Sequence, residues 1–433
     1  MIWTVIHIID ILLWLIIAGS VVYVCFFAFV SLLRSKGQSS ELKAAIKRRQ
    51  SQVYLDSAKC EQTRPQVKAQ SSKLKATFLV LYPAYHEDAV IVNSVRTFLQ
   101  SDYPEEKYHV AVISDHMKPE TNDLLASLPI TLLQPTFEKS SKAKALQYAI
   151  EFFEERRSKE ERSKEPFDYV VIMDADNVVR PDFLTQLNKV CQQGYKAIQC
   201  HRCAKNSDND IAVLDGVSEE INNSLFRRAH NAIGLSSALI GSGMCFDYLW
   251  FHEHVNHLCS AVEDRELEAL LMKENIFVKF VNDIPVYDEK VSDSNNFQRQ
   301  RLRWMSGQVQ TLFLMLPYLP KAIMKGNINY IDKTIQQALI PRSILLLLTG
   351  GFSLFSTILA LLTPLSFLFY SLKWWVLFGM LCMALFIAMP AEMRTRSVFS
   401  RLKDFPRLAW LMMKNLSKIS LKNKDFLHTT HNK

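Results

Sequence analysis

The sequence predicts an α/β fold with a mainly parallel sheet, tied to a bilayer by three membrane-spanning helices. Three observations carry that expectation. Short apolar runs alternate with helical stretches over residues 77–173, long apolar segments lie near both ends, and excess positive charge is confined to two flanking segments. The chain has 433 residues, 49% of them hydrophobic and 22% charged. Such a composition buries a core and excludes a disordered chain.

Residues 1–33 contain one carboxylate, Asp10, and end at Arg34. As a helix they would run about 50 Å at roughly 1.5 Å per residue, more than a bilayer needs. Without a basic start or a small-residue cleavage site, the segment reads as an anchor and not as a signal peptide. Residues 34–75 carry 11 Lys/Arg against 3 Asp/Glu and form a basic linker, helical over Ala44–Arg49. Phe78–Tyr82 then reads as a buried strand, Ala89–Leu99 as a helix, His109–Ser114 as a strand, Lys142–Phe153 as a helix and Tyr169–Met173 as a strand. This alternation specifies parallel pairing through right-handed crossovers. Glu154–Glu165 is a solvated loop or helix end. Residues 343–391 hold a single charge, Lys373, and have room for two spans, with a turn around Thr363–Lys373 and an interfacial belt at Trp374 and Trp375. Residues 392–433 are again basic, 10 against 3.

Charge placement sets topology and excludes a partner class. The net charge is +8, yet outside the two basic segments the chain has 30 basic and 37 acidic residues. A nucleic-acid binder carries its basic surface on the folded domain, so no nucleic acid is expected. The positive-inside rule puts residues 34–340 and the tail in the cytoplasm, with the N-terminus outside. Cysteines there stay reduced. Cys200 and Cys203 form a CxxC with no second pair, a poor zinc signal. The histidines His252, His254 and His257 have no supporting motif and read as surface residues.

Residues 38–193 contain no glycine. Glycine-rich phosphate loops are therefore excluded over that stretch. A nucleotide held there needs side chains and a metal. In parallel sheets ligands bind at the carboxyl ends of the strands, and acidic residues follow all three strands: Glu87 after the first, Asp115 after the second, Asp174 and Asp176 after the third. One such residue is an ordinary cap or turn former. Acidic groups at three strand ends on one edge favour a divalent cation, and carboxylate oxygens suit Mg²⁺ or Mn²⁺.

Across residues 77–310 the chain resembles the membrane-bound glycosyltransferases of family 2, the group of cellulose, chitin, hyaluronan and poly-N-acetylglucosamine synthases. Pro83–Glu87 (PAYHE) resembles PxYNE, Asp115 the second-strand aspartate, and Lys142–Leu146 (KAKAL) the KxxAL element. Asp174–Asp176 is the DxD, Glu263–Asp264 is similar to TED, and Gln300, Arg303 and Trp304 match QxxRW, followed by Gly307 and Gln308. Three positions depart from the pattern. Val262 replaces the threonine of TED, Lys144 stands where glycine is frequent, and His86 replaces asparagine.

The resemblance implies a GT-A-type nucleotide-sugar-binding domain with a mixed, mainly parallel sheet, plus interfacial helices beside the three spans. It implies a metal-dependent, inverting sugar transfer from a nucleotide-sugar donor, with UDP as the expected carrier. Asp176 and Asp174 would hold Mg²⁺ or Mn²⁺. Tyr85, Glu87, Asp115, Lys142, Asp174 and Arg303 would contact the donor. Asp264 would be the general base with Glu263 beside it, and Gln300, Trp304, Ser242 and Gly243 would line the acceptor pocket. The implied segments are 1–33 anchor, 34–75 linker, 76–300 transferase domain, 301–340 QxxRW segment and interfacial helices, 341–391 two spans and 392–433 tail. Three spans are few for a polymer-exporting channel, so a lipid-linked or oligosaccharide acceptor at the cytoplasmic membrane face is expected. A processive β-polysaccharide synthase with a homo-oligomer or an export partner is the alternative, and a non-catalytic scaffold a further one.

Overall fold

The computed structural model describes residues 2–35, 75–159, 167–206, 209–260, 262–291, 294–362 and 368–416. The expected linker, including Ala44–Arg49, and the last part of the tail lie outside the described residues.

Among the described residues, eight strands form one sheet: β1 (Phe78–Tyr85), β2 (Tyr108–Asp115), β3 (Thr131–Leu133), β4 (Tyr169–Ile172), β5 (Val178–Val179), β6 (Ala197–Ala204), β7 (Met244–Asp247) and β8 (Val278–Asp288). Their spatial order is β3-β2-β1-β4-β7-β6-β8-β5. Pairs β1–β2, β1–β4, β2–β3 and β6–β8 are parallel; β7 runs antiparallel to β4 and β6, and β5 to β8. The sheet is mixed and mainly parallel, as expected. Strands β1 and β4 are nearly continuous apolar runs because helices cover both faces. Leu79 and Leu81 face one core cluster, Phe78, Val80 and Tyr82 the other.

The helices are α1 (Ile2–Ser35), α2 (Ile91–Phe98), α3 (Pro119–Ala126), α4 (Lys142–Lys159), α5 (Phe183–Cys191) and α6 (Asp210–Asn222). Next come α7 (Tyr248–Val255), α8 (Glu263–Lys273), α9 (Ser294–Met315), α10 (Leu319–Met324) and α11 (Ile328–Ala338), then α12 (Arg342–Leu362), α13 (Leu368–Ala388), α14 (Arg396–Arg401) and α15 (Phe405–Leu416). Two expected boundaries move. β1 continues through Pro83 and Ala84 to Tyr85, which lies in register with Asp115. Helix α4 runs past Phe153 to Lys159, so the charged stretch begins as helix, its Arg157 paired with Glu154 one turn back at 2.6 Å.

Among the described residues, three helices are long and apolar enough to cross a membrane, over His7–Leu33, Arg342–Leu362 and Ser371–Ala388. They pack on one another and on a π-helical stretch, Asn223–Ala229. Asp10 of α1 pairs with Lys373 of α13, and Trp374 Nε1 donates to Asp10 Oδ1 at 3.0 Å. The lone carboxylate of the first span thus meets the lone cation of the last, and a charge that would be costly in lipid is neutralised. Trp374 is accordingly buried between helices and stacked on Phe352, with ring centroids 4.5 Å apart; Trp375 is the exposed member of the expected belt. The turn expected around Thr363–Lys373 is helix from Leu368 on, and 363–367 lie outside the described residues. Helices α9 to α11 follow one another with Phe313, Leu314, Leu316, Ile323, Met324 and Ile328 uncovered.

Candidate active site

Strands β2, β1 and β4 are adjacent and parallel, so their carboxyl ends deliver Asp115, Tyr85 and Asp174 to one edge. At the β1–β2 end the backbone turns sharply. His86 and His116 take the left-handed conformation, with φ of 53° and 57°. His116 Nδ1 lies 2.6 Å from Asp115 Oδ1, and the carboxylate of Asp115 is buried. The Tyr85 ring packs against His86 (4.5 Å between centroids) and His116 (5.7 Å). Glu87 sits beside this aromatic group, its backbone N–H 3.1 Å from Met117 Sδ.

The turn after β4 holds the two aspartates differently. Asn177 Oδ1 accepts from Asp174 N at 2.9 Å, and Asn177 Nδ2 donates to Asp176 Oδ1 at 3.2 Å. Asp176 Oδ2 accepts from Glu289 N at 2.7 Å, which ties it to the end of β8. Asp174 instead bonds the ammonium of Lys142. Burial pushes the Asp174 carboxyl up, but Lys142, Arg202 and Arg303 outweigh it and hold it below the ordinary carboxylate value. Arg303 of α9 therefore acts on the same spot as the Asp174–Asp176 turn.

Lys142, at the start of α4, joins three segments. Its Nζ bonds Asp174, donates to Gly241 O at 2.7 Å and lies 3.5 Å from Glu263 Oε1. Burial disfavours the cation, yet Asp174, Glu263 and Asp264 raise its pKa above the ordinary lysine value. Glu263 and Asp264 begin α8. Burial, opposed by Lys142 and reinforced by Asp264, pushes the Glu263 carboxyl up to about 7. Asp264 is half-buried, and its Oδ1 accepts from Arg265 N at 2.9 Å. A Cβ added to Gly241 (φ 86°) would lie 3.6 Å from Asp264 Oδ2. The 240–243 loop thus presses its backbone close to the candidate base. Gly243 (φ 60°) has no room for a side chain: a Cβ would lie 2.9 Å from Val286.

Helix α9 holds Gln300, Arg303 and Trp304. Gln300 Oε1 and the hydroxyl of fully buried Ser242 have no hydrogen-bond partner among the described residues. One face of Trp304 carries the guanidinium of Arg301, 4.4 Å from the ring centroid, and Arg301 in turn pairs with Asp215. Gln308 donates to Leu339 O (2.8 Å) and Gln337 O (3.1 Å), so it fastens α9 to the end of α11. Gly307 abuts Val262, the residue before Glu263.

Lys142, Asp174 and Glu263 thus meet directly, Asp264 joins them across Gly241, and Arg303 reaches them through its field. Asp115, Tyr85 and Glu87 lie at the neighbouring strand ends. Two supporting residues carry no signal in sequence. Gln199 of β6 is buried; its Nε2 donates to Ser242 O (2.9 Å) and its Oε1 accepts from Ile240 N (3.1 Å), clamping the 240–243 loop. Arg202, also on β6, bridges Asp288 (2.9 Å) and Ile240 O (3.0 Å), and Asp288 pairs with Lys290 at 2.9 Å. Nearby Glu219 is pushed up by burial but held down at about 2 by Arg227, Lys290 and Arg202. A buried Arg shows only after folding, because one strand residue gives no hint of the carboxylates opposite it. Of the three histidines, His254 bonds Glu274 at 2.7 Å and stacks on Trp250.

Residues 169–390 match the family model for glycosyl transferase family group 2, and residues 79–248 match glycosyl transferase family 2. No curated protein matches the sequence. Among solved structures the chain is similar to the mannosyltransferase PcManGT from Pyrobaculum calidifontis in complex with GDP-Man and Mn2+. Identity is 16%, coverage 84% of this chain and 97% of that one, and the TM-score 0.43. It is also similar to S. aureus TarS 1–349 in complex with UDP-GlcNAc, at 13% identity over 79% and 89% of the two chains, TM-score 0.41. A third similarity is to glucosyl-3-phosphoglycerate synthase from Mycobacterium tuberculosis with Mn2+, UDP and phosphoglyceric acid, at 13% over 61% and 80%, TM-score 0.35. The first family match takes in the Asp174–Asp176 turn, the start of α8, the QxxRW helix and two of the three candidate spans, and covers just over half the chain. This chain is a glycosyltransferase and belongs to glycosyl transferase family group 2.

Proposed function

We propose that the protein transfers a sugar from a nucleoside diphosphate sugar, UDP-linked, to a lipid-linked or oligosaccharide acceptor at the cytoplasmic membrane face, with inversion at the anomeric carbon. The observation that carries this reading is the Lys142 junction, where one buried cation touches the Asp174 turn, the Gly241 carbonyl and Glu263. Donor, acceptor-loop and base elements converge there.

The donor set at the β4 end is hard oxygen: two carboxylates on one short turn, Asp174 kept anionic by its cationic neighbours. That chemistry fits Mg²⁺ or Mn²⁺. Asp176 and Asp174 would hold the ion, which when bound neutralises charge developing on the departing diphosphate. Arg303 and Lys142 add fixed positive charge on the same side. Asp115 and Glu87 would bind base or ribose, with Tyr85 packing against them.

The acceptor hydroxyl attacks the anomeric carbon from the face opposite the diphosphate. The new C–O bond forms as the C–O(phosphate) bond breaks, and the hydroxyl proton passes to Asp264. Asp264 suits the role because it is half-buried at a helix start, close against the backbone of the 240–243 loop. Glu263, pushed up to about 7 by burial, would share the catalytic site with Asp264 and sets the charge around Lys142. The partnerless Ser242 hydroxyl and Gln300 oxygen support an acceptor pocket there, as buried polar atoms otherwise find a partner. Trp304 would offer its other face to a sugar ring.

The uncovered apolar side chains of α9–α11 support an interfacial setting, and the two basic flanking segments would put the N-terminus outside. Nucleotide release by purified protein given UDP- and GDP-sugars tests the reading. Turnover with a UDP-sugar, lost in EDTA and restored by Mg²⁺ or Mn²⁺, with a product one sugar longer, is expected. High-mass polysaccharide would instead support the processive synthase, and no turnover with any donor the scaffold.

A further inference from the structure

The CxxC does not act as a pair. Cys200 is buried in the core cluster with Cys191 and Cys245, while Cys203 lies beyond a register break, since Cys200 faces Val281 and His201 faces Pro285. In a strand, residues two apart share a face. His201 and Cys203 accordingly turn together towards α6, and Arg202 turns the other way, to Asp288 and Ile240. Glu220 of α6 completes a group: one ligand atom each from His201, Cys203 and Glu220 lies within 4.8 Å of the others, all partly or fully buried.

The hydrogen bonding at His201 points to a cation. Its Nδ1 lies 2.9 Å from Asn282 O, a carbonyl that only accepts, so Nδ1 bears the proton. Its Nε2 then meets Glu220 Oε1 at 2.8 Å, an oxygen that already accepts from Asn223 Nδ2 at 3.2 Å. Two acceptors face each other, and a positive species must lie between them. A second proton on the ring would serve, with the Cys203 thiol then donating only to His201 O at 3.5 Å. A metal uses all three groups. An imidazole whose other nitrogen donates to a backbone carbonyl is the usual arrangement behind a metal ligand.

We propose that His201 Nε2, Cys203 Sγ and Glu220 bind a thiophilic divalent ion of the zinc class, at a site separate from the hard-oxygen turn at Asp174–Asp176. Nitrogen, sulfur and carboxylate ligands with one position left for water match zinc and cobalt and disfavour Mg²⁺. On binding, the Cys203 thiol gives its proton to solvent. The ion pins β6, which carries Arg202, to α6 and through it to the π-helical stretch that packs on α1. The site therefore fastens the transferase domain to its anchor.

Cobalt is the probe. Purified full-length protein in detergent, titrated with Co²⁺, is expected to develop a thiolate-to-cobalt charge-transfer band, retained in Asp176→Ala and lost in Cys203→Ser and His201→Gln. In the unaltered protein Zn²⁺, and not Mg²⁺, should block alkylation of Cys203 followed by peptide mass spectrometry, a readout that needs no variant to fold. No band in the unaltered protein, a band that survives Cys203→Ser, or equal alkylation with and without Zn²⁺ overturns the proposal and leaves an imidazolium–carboxylate pair.

Discussion

Gly307→Ala tests how the QxxRW helix sets the proposed catalytic carboxylates. A Cβ at Gly307 would lie 2.6 and 2.7 Å from the two Val262 methyls and 3.1 Å from its Cβ. Those methyls are not the far end of a flexible chain, and Val262 is buried. Relief therefore moves the backbone of Val262, the residue that opens onto Glu263 and Asp264. Overpacking costs about 1–3 kcal/mol, while alanine for glycine within a helix returns roughly 0.5–1. The balance is a loss of about 1–2 kcal/mol. Transfer should suffer more than stability, because a shift of about 1 Å at reacting groups costs on the order of a hundredfold. Thermal melts and initial transfer rates of Gly307→Ala, Val262→Ala and the double variant make a cycle, in which Val262→Ala should recover part of the rate lost in Gly307→Ala. A Gly307→Ala protein with unchanged melting and unchanged rate would refute the reasoning.

Other outcomes follow from the same contacts. Glu263 has its carboxyl raised from 4.5 to about 7 by burial, so the folded state holds its proton more tightly than the unfolded chain. Stability should fall as pH rises from about 4.5 to about 7, by roughly 3 kcal/mol in all. Glu263→Gln should flatten that part of the melting-temperature profile, and superimposable profiles would count against it. Lys142→Met leaves Asp174 and Glu263 close together without their shared cation; breaking a buried ion pair costs about 3–5 kcal/mol, and donor binding measured by nucleotide displacement should weaken with it. Asp10→Leu leaves the Lys373 ammonium among apolar helices, so detergent-solubilised protein should melt lower, and Asp10→Leu with Lys373→Leu should recover most of the loss.

Much of the fold was legible because its signals are local. Apolar runs placed β1, β2 and β4 to within a few residues, and span length placed α1, α12 and α13. The acidic residues at strand ends were legible for the same reason, since a parallel sheet sends consecutive strand ends to one edge. What escaped depends on distant partners. Nothing near Asp10 announces Lys373, 363 positions away, as its counter-ion. Trp374 read as an interfacial residue because indole favours that zone, but the Asp10 carboxylate draws its N–H inward. Gln199 and Arg202 looked like ordinary strand residues until β7, β8 and the 240–243 loop closed around them. Gly307 was visible as a motif member, yet its reason, the Val262 methyls, exists only once α8 and α9 pack together.

The most direct test of the account is the transfer rate of Asp264→Asn measured beside its affinity for the nucleotide-sugar donor. Asparagine keeps the size and the hydrogen bond from Arg265 N but cannot take a proton. The account predicts donor affinity close to that of the unaltered protein and transfer slowed by about 10²–10⁴. Transfer at the original rate would contradict it.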